Sequence, residues 1–222
     1  MRVELHHVRK SYPLPGGDGT MTALDGIDLV IESGALCILD GPSGSGKTTL
    51  LSVIGGLSRP TSGSVTLDGK VQNHGDRQRG MVAHAFQEPV FIPELTVMEN
   101  LLLPALRSRD HFPIDRGERL LDAFGLGEMF DLFPAALSGG EKRRLNLARS
   151  LFLSPRLLLI DEPAAYLDDA WQAKAMEMII REVRDARATL VMATHTPLPG
   201  SEEFRRILMH KGKVLEDDSS DN

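Results

Sequence analysis

The chain has 222 residues, 41% of them hydrophobic, 25% charged and only 5% aromatic, and a formal net charge of -6 at pH 7. That length suits one large globular domain, and the composition excludes an intrinsically disordered chain. The acidic balance gives no support to nucleic acid as a partner, and much of it sits in residues 216–222, EDDSSDN, which read as a solvated terminus.

In chain order, residues 1–12 lack the apolar core of a signal peptide, and no stretch reaches the ~18–20 apolar residues of a membrane helix. This predicts a cytoplasmic protein whose membrane role would come through a partner. Short strands follow, RVELHHV, IDLVI, ALCILD and SVTLDG, separated by the turn-rich PLPGGDG, ESG and RPTSG. Cys37, the sole cysteine, lies in ALCILD and reads as a small buried hydrophobe rather than a reactive thiol. TLLSVIGGL after the first glycine cluster is helical in length and pattern. Thr96 and Glu99 form a capping-box pattern that starts a helix over VMENLLLPALRSR, with Pro104 set to kink or end it. DRGERLLDAFGL gives a second helix with Leu120, Leu121 and Phe124 on one face. Ser138 and Glu141 repeat the capping-box spacing and predict a helix to about Ser154, stopped by Pro155. RLLLID and ATLVMATH then read as buried strands flanking one amphipathic helix. In that helix Ala175, Met176, Ile179, Ile180, Val183 and Ala186 recur at helical spacing. With no repeat and no linker, the chain reads as one domain ordered sheet, helical insert, sheet.

Three segments carry chemistry. GPSGSGKT, residues 41–48, fits a phosphate-binding loop: a buried strand precedes it, a helix follows, and the glycines let backbone N–H groups curl around phosphate oxygens. Lys47 reaches the terminal phosphates and Thr48 offers a hydroxyl to Mg²⁺, which prefers oxygen ligands. Asp40 is out of place there unless it points away or meets a cation. LLLIDEP ends a strand with Asp161, suited to hold Mg²⁺ through water, and Glu162, suited to orient or deprotonate the attacking water. Alone, such a pair is more often a helix cap. His195 also follows a strand, where most histidines are structural, but three strand ends meeting at one crevice favour phosphate sensing. Gln87 in AFQEP would be unremarkable alone. LSGGEKRRLNLARSL, residues 137–151, is a second anion-suited helix start: Ser138, Gly139 and Gly140 offer a hydroxyl and unencumbered N–H groups, and Arg143 and Arg144 add positive charge one turn on. Periodicity alone reads it equally as an ordinary capped helix.

Taken in order, GPSGSGKTTLL, Gln87, LSGGE, LLLIDEP, Asp168 and His195 resemble the ATPase subunit of an ABC transporter over almost the whole chain. The resemblance implies an α/β P-loop fold with a mixed β-sheet. Residues 1–87 and 156–222 would form the nucleotide-binding core, and residues 88–155 an inserted α-helical subdomain. It implies an ATPase using ATP and Mg²⁺. Tyr12 would stack on adenine. Gly41, Pro42, Ser43, Gly44, Ser45, Gly46, Lys47, Thr48 and Thr49 would bind phosphates. Thr48, Gln87 and Asp161 would serve Mg²⁺, Glu162 would be the catalytic base, and His195 would contact the γ-phosphate. Ser138, Gly139, Gly140 and Glu141 would face the ATP of an opposite subunit in a homodimer, with Asp168 at the subunit contact. An integral membrane permease would be the further partner, holding the chain on the cytoplasmic face of the inner or plasma membrane.

IGGLSRPTSGSVTLDGK and PELTVMENLLLPAL are similar to the lipoprotein-releasing, macrolide-exporting and cell-division branch, in which closure on ATP moves a membrane partner mechanically. An importer subunit stays open as the alternative. A soluble DNA-repair or chromosome ATPase of the same superfamily would need a long coiled coil, and no heptad run exists here. A ribosomal regulator would need two such domains. The chain departs from the family's pattern at Ala165 and Tyr166, at Lys142 and Arg143 where glutamines are usual, and between Lys70 and Ala85, which looks short.

Overall fold

The computed structural model describes residues 1–14, 16–17, 19–72, 81–107 and 114–218. Two sheets organise it. Strands β1 (Val3–Pro13), β2 (Thr20–Ile31), β4 (Ser62–Leu67) and β5 (Lys70–Val71) form an antiparallel sheet in the order β2–β1–β4–β5. Strands β3 (Leu36–Asp40), β6 (Val82–Ala85), β7 (Leu157–Asp161), β8 (Thr189–Ala193), β9 (Arg205–His210) and β10 (Lys213–Asp217) form the second sheet, ordered β10–β9–β3–β8–β7–β6. In this sheet β3, β6, β7, β8 and β9 are parallel, and β10 pairs antiparallel with β9. The mixed-sheet α/β fold expected from the sequence is therefore present. β1 and β2 run further than RVELHHV and IDLVI suggested, because the two strands pair on through Pro13 and Thr20.

The parallel sheet is buried on both faces, as its unbroken apolar strands require. Leu157 and Leu159 pack with Val3, Leu24, Leu50 and Ile54, in the layer shared with the antiparallel sheet and α1 (Lys47–Ile54). Leu158 and Ile160, one residue out of phase, pack on the opposite face with Phe124, Leu147 and Ile179. That face is covered by α2 (Val97–Leu102), α3 (Ile114–Ala123), α4 (Gly139–Leu151) and α5 (Asp169–Asp185). On α5 the expected stripe holds at Ala175, Met176, Ile179 and Val183, whereas Ala186 is exposed.

Helix ends follow local chemistry. Thr96 caps α2 in a capping box with Glu99, and Pro104 converts the helix after Leu102 into a 3₁₀ turn over Leu103–Arg107. Residues 108–109 of the expected helix lie outside the described residues, as do residues 73–80 of the short segment and residues 219–222 of the acidic tail. α4 ends at Leu151, three residues before the expected Ser154. Ser154 has φ 48°, and its N–H donates to Leu151 O, closing a turn ahead of Pro155, which disfavours helical backbone in the residue before it.

Candidate functional site

Four neighbouring parallel strands, in the order β3–β8–β7–β6, end at one edge of the sheet. Leu39 is in register with Ala193, Asp161 with Ala193, and Ala85 with Ile160. The segments leaving these ends carry residues 41–46, His195, Glu162 and Gln87. The sequence reading expected three strand ends at this crevice, and the structure supplies four. In open parallel sheets ligands bind outside such ends.

The loop over residues 41–46 is shaped by backbone that only glycine adopts freely. Gly41, Gly44 and Gly46 have φ 141°, 76° and 107°. A Cβ on Gly41 would lie 2.2 Å from Met209 O, and one on Gly46 2.6 Å from Ala23 O, while one on Gly44 would meet nothing. The loop is thus packed against β9 and β2 on its inner side and open at Gly44. Lys47 is 7% exposed and donates to Gly41 O at 2.6 Å and Pro42 O at 3.2 Å. The buried Ser45 hydroxyl has no hydrogen-bond partner among the described residues. Asp40 turns away from the loop: it accepts from the Gly41 N–H at 2.6 Å and pairs with Arg206 at 3.5 Å.

Asp161, 3% exposed, lies beside the Thr48 side chain. Burial pushes its carboxyl above the usual range, opposed by the neighbouring Thr48 hydroxyl and the Arg143 and Lys47 cations. A hydroxyl and a buried carboxylate held side by side at the end of the phosphate loop are hard oxygen donors of the kind Mg²⁺ accepts beside substrate phosphates. Glu162 follows with φ 49°, left-handed backbone that costs a residue with a side chain on the order of 1 kcal/mol. Its Oε1 lies 2.7 Å from His195 Nδ1. The structure so brings together Lys47, Thr48, Asp161, Glu162 and His195. Gln87 is exposed just past β6, and Tyr12 sits on β1 opposite Met21, two residues along β2 from the Ala23 carbonyl that backs Gly46. Lys10 lies over the Tyr12 ring, 4.9 Å from its centroid.

Residues 138–141 are elsewhere. The Ser138 N–H and hydroxyl each donate to Glu141 at 2.7 Å, which holds the Glu141 carboxyl below its usual range, and the Glu141 N–H donates back to Ser138 Oγ at 3.3 Å. A Cβ on Gly140 would meet Tyr166 O at 3.1 Å, so this helix start packs on the turn after Glu162. Among the described residues no hydrogen bond or ion pair joins residues 138–141 to residues 41–49. Asp168 caps α5 by accepting from the Trp171 N–H at 2.8 Å.

The expected surface charge of Arg143 and Arg144 is corrected. Both side chains turn inward. Arg144 donates to Phe124 O at 2.7 Å and lies over the Trp171 ring, 4.1 Å from its centroid. Arg143 is 0% exposed and donates to Phe86 O, Asp161 O and Glu162 O. Two further residues escaped the sequence reading: Asn100, fully buried under the loop that precedes α2, and His84, whose ring nitrogens are buried without a hydrogen-bond partner among the described residues. Nothing in their spacing marks them.

A family model described as ABC transporter matches residues 24–165. The chain belongs to that family. It is 36% identical over 200 residues to the lipoprotein-releasing system ATP-binding protein LolD of Xanthomonas oryzae pv. oryzae, covering 86% of this chain and 82% of that one. It is 33% identical over 222 residues to the macrolide export ATP-binding/permease protein MacB of Bdellovibrio bacteriovorus, covering 97% of this chain but 34% of that protein. The chain thus spans about a third of that relative's length. A dimeric ATP-binding cassette in a post-hydrolysis state, bound to ADP and Pi, superposes with a TM-score of 0.88 at 31% identity, covering 97% of each chain. This ABC cassette is an ATP-binding, ATP-hydrolysing subunit of the transporter type, in the lipoprotein-releasing and macrolide-export branch.

Proposed function

We propose that this ABC cassette is the motor of a membrane complex, closing as a head-to-tail homodimer around two ATP molecules and working mechanically on a permease in the exporter-like manner. The observation that carries this reading is the second helix start. Ser138 opens α4 ahead of two glycines, yet this helix start rests on the turn at Tyr166 and, among the described residues, makes no polar bond to the phosphate loop of its own chain. A nucleotide held by residues 41–49 of one copy would find its missing contacts in residues 138–141 of another.

Within one half-site the roles divide by chemistry. Lys47 would leave the carbonyls of Gly41 and Pro42 for the β- and γ-phosphates, joined by the N–H groups of residues 41–49. Thr48, Asp161 and Gln87 would hold Mg²⁺, which supplies charge neutralisation at the phosphate oxygens when bound. Glu162 would orient the attacking water and accept its proton, and His195, already bonded to Glu162, would turn its other ring nitrogen to the γ-phosphate. Tyr12 would stack on adenine. Asp168, beside Tyr166, would meet the opposite subunit.

Residues 88–155 would serve as the helical subdomain that touches the permease. Val90, Ile92, Leu132 and Phe133 expose apolar side chains there, and the Val97 N–H donates to Leu132 O, so the two loops sit together. No described helix is long and apolar enough to cross a membrane. The protein would therefore be held at the cytoplasmic face by its partner.

The test is the Glu162→Gln variant. It should bind MgATP, turn over very slowly and accumulate as a dimer by light scattering. A tagged sample solubilised in mild detergent should retain a membrane protein of few spans with a large external domain. Recovery of a many-span protein that works with a solute-binding protein would move the assignment to an importer. Recovery of soluble partners alone would remove the membrane role.

A further inference from the structure

The guanidinium of Arg143 is wholly enclosed, and every polar partner it has among the described residues is a backbone carbonyl. Nη2 donates to Asp161 O and Glu162 O, both at 2.6 Å; Nη1 donates to Phe86 O at 2.5 Å; Nε points to Pro163 O at 3.4 Å. Asn146, less than one turn further along the same helix, adds a second donor to Phe86 O at 2.9 Å. These carbonyls belong to the residue before Gln87 and to the strand end that presents Glu162. Burial lowers the pKa of Arg143 to about 10, opposed by the nearby Asp161 and Glu162 carboxylates, so the cation persists at neutral pH while its hydrogen bonds go to peptide carbonyls.

α4 therefore has a working point at each end of one turn and a half. Its first residues, from Ser138, are those proposed to meet the partner's ATP. Five residues on, Arg143 grips the backbone that sets the left-handed turn at Glu162 and the start of the Gln87 segment. A helix is stiff over that distance, so a small tilt of its start on closure is delivered to both carbonyl groups at once.

We propose that Arg143 is a positioning residue that couples the two ATP sites of the dimer, transmitting engagement of Ser138 with the partner's nucleotide to the base and the Gln87 segment of its own chain. The inference rests on the dimer reading above. A glutamine, the residue that the family's pattern expects here, has two N–H donors on one nitrogen and cannot reach three carbonyls spread over two strand ends. This chain thus holds its base more firmly to α4 than a glutamine would.

The experiment compares wild type with Arg143→Gln and Arg143→Lys, measuring kcat, the ATP concentration at half-maximal rate, the Hill coefficient for ATP, nucleotide affinity of the monomer with a fluorescent ADP, and thermal midpoint. Arg143→Gln should lower kcat about tenfold or more, bring the Hill coefficient towards 1, and leave monomer affinity within about twofold. Arg143→Lys, keeping the charge but not the fork, should fall between the two, and it carries the test if the glutamine variant does not fold. A purely structural arginine would instead lower the thermal midpoint while the folded fraction kept its kcat and Hill coefficient, and that result would overturn the proposal. If wild type itself shows no cooperativity and no dimer, the underlying reading fails; if it shows both and Arg143→Gln matches it, only this inference fails.

Discussion

Asn100→Leu offers the sharpest physical test of how the loop proposed to face the permease is held. The Asn100 side chain is 0% exposed and makes four polar contacts: its Oδ1 accepts from the Ile92 N–H at 2.9 Å, and the two hydrogens of its Nδ2 are shared among Ile92 O, Leu95 O and Thr96 O at 3.0, 2.9 and 3.0 Å. Leucine has a similar size and fits the helix, so packing changes little. Not all four losses count alike. Ile92 O keeps the Leu95 N–H and Thr96 O keeps the Asn100 backbone N–H, so the groups left without a partner are the Ile92 N–H and Leu95 O. Both groups are only part-buried, so at the lower end of about 1–3 kcal/mol for each polar group left unsatisfied the cost should be about 2–4 kcal/mol. For a chain of this length that is a fall of roughly 5–15 °C in thermal midpoint, which calorimetry reads directly. The functional signature should be separable: ATP affinity of the isolated subunit unchanged, retention of the membrane partner reduced. A thermal midpoint within about 2 °C of wild type would refute the hydrogen-bond reasoning. A large fall with full retention of the partner would refute the assignment of this loop to docking.

Lys47→Ala should abolish measurable ATP binding, since Lys47 is the only side-chain cation enclosed in the loop among the described residues; isothermal titration giving an unchanged affinity would end that assignment. Ser138→Ala should reduce turnover far more than nucleotide binding by the monomer, and equal damage to both would argue against a role across the dimer. His84 should make stability depend on pH. Burial lowers its pKa from 6.5 to about 4, so the unfolded chain binds a proton that the folded one refuses. Stability should therefore be lost as pH falls from about 6.5 towards 4, and about 1 kcal/mol of the loss should already be present near pH 5.5. His84→Leu should flatten that part of the profile relative to wild type, and parallel urea-melt profiles for the two proteins would refute it.

What was legible in the sequence was whatever local chain chemistry decides. The glycines of residues 41–46 mark positive φ, the capping boxes at Thr96 and Ser138 mark helix starts, and unbroken runs such as LLLID mark strands buried on both faces. What was not legible depends on which side of an element meets which neighbour. Arg143 sits one turn into a helix whose start suits anions, and sequence alone assigns its charge to that start. The packed helix turns it instead beneath the strand ends, where three carbonyls facing inward must find donors. Asn100 is the mirror case: a polar residue on a short helix reads as surface until the loop before it folds back. In both, an unpaired backbone group in the surroundings, invisible in the one-dimensional pattern, selects the residue. The same reasoning separates the chain's two anion-suited helix starts. The first is completed within the chain by Lys47, Thr48 and Asp161. The second, at Ser138, has its N–H and hydroxyl taken by Glu141, which a phosphate would have to displace. If residues 138–141 meet the ATP of a second copy, as proposed, a site held shut by its own carboxylate would open only to a more highly charged ligand, which suits a clamp that closes on ATP and reopens after hydrolysis.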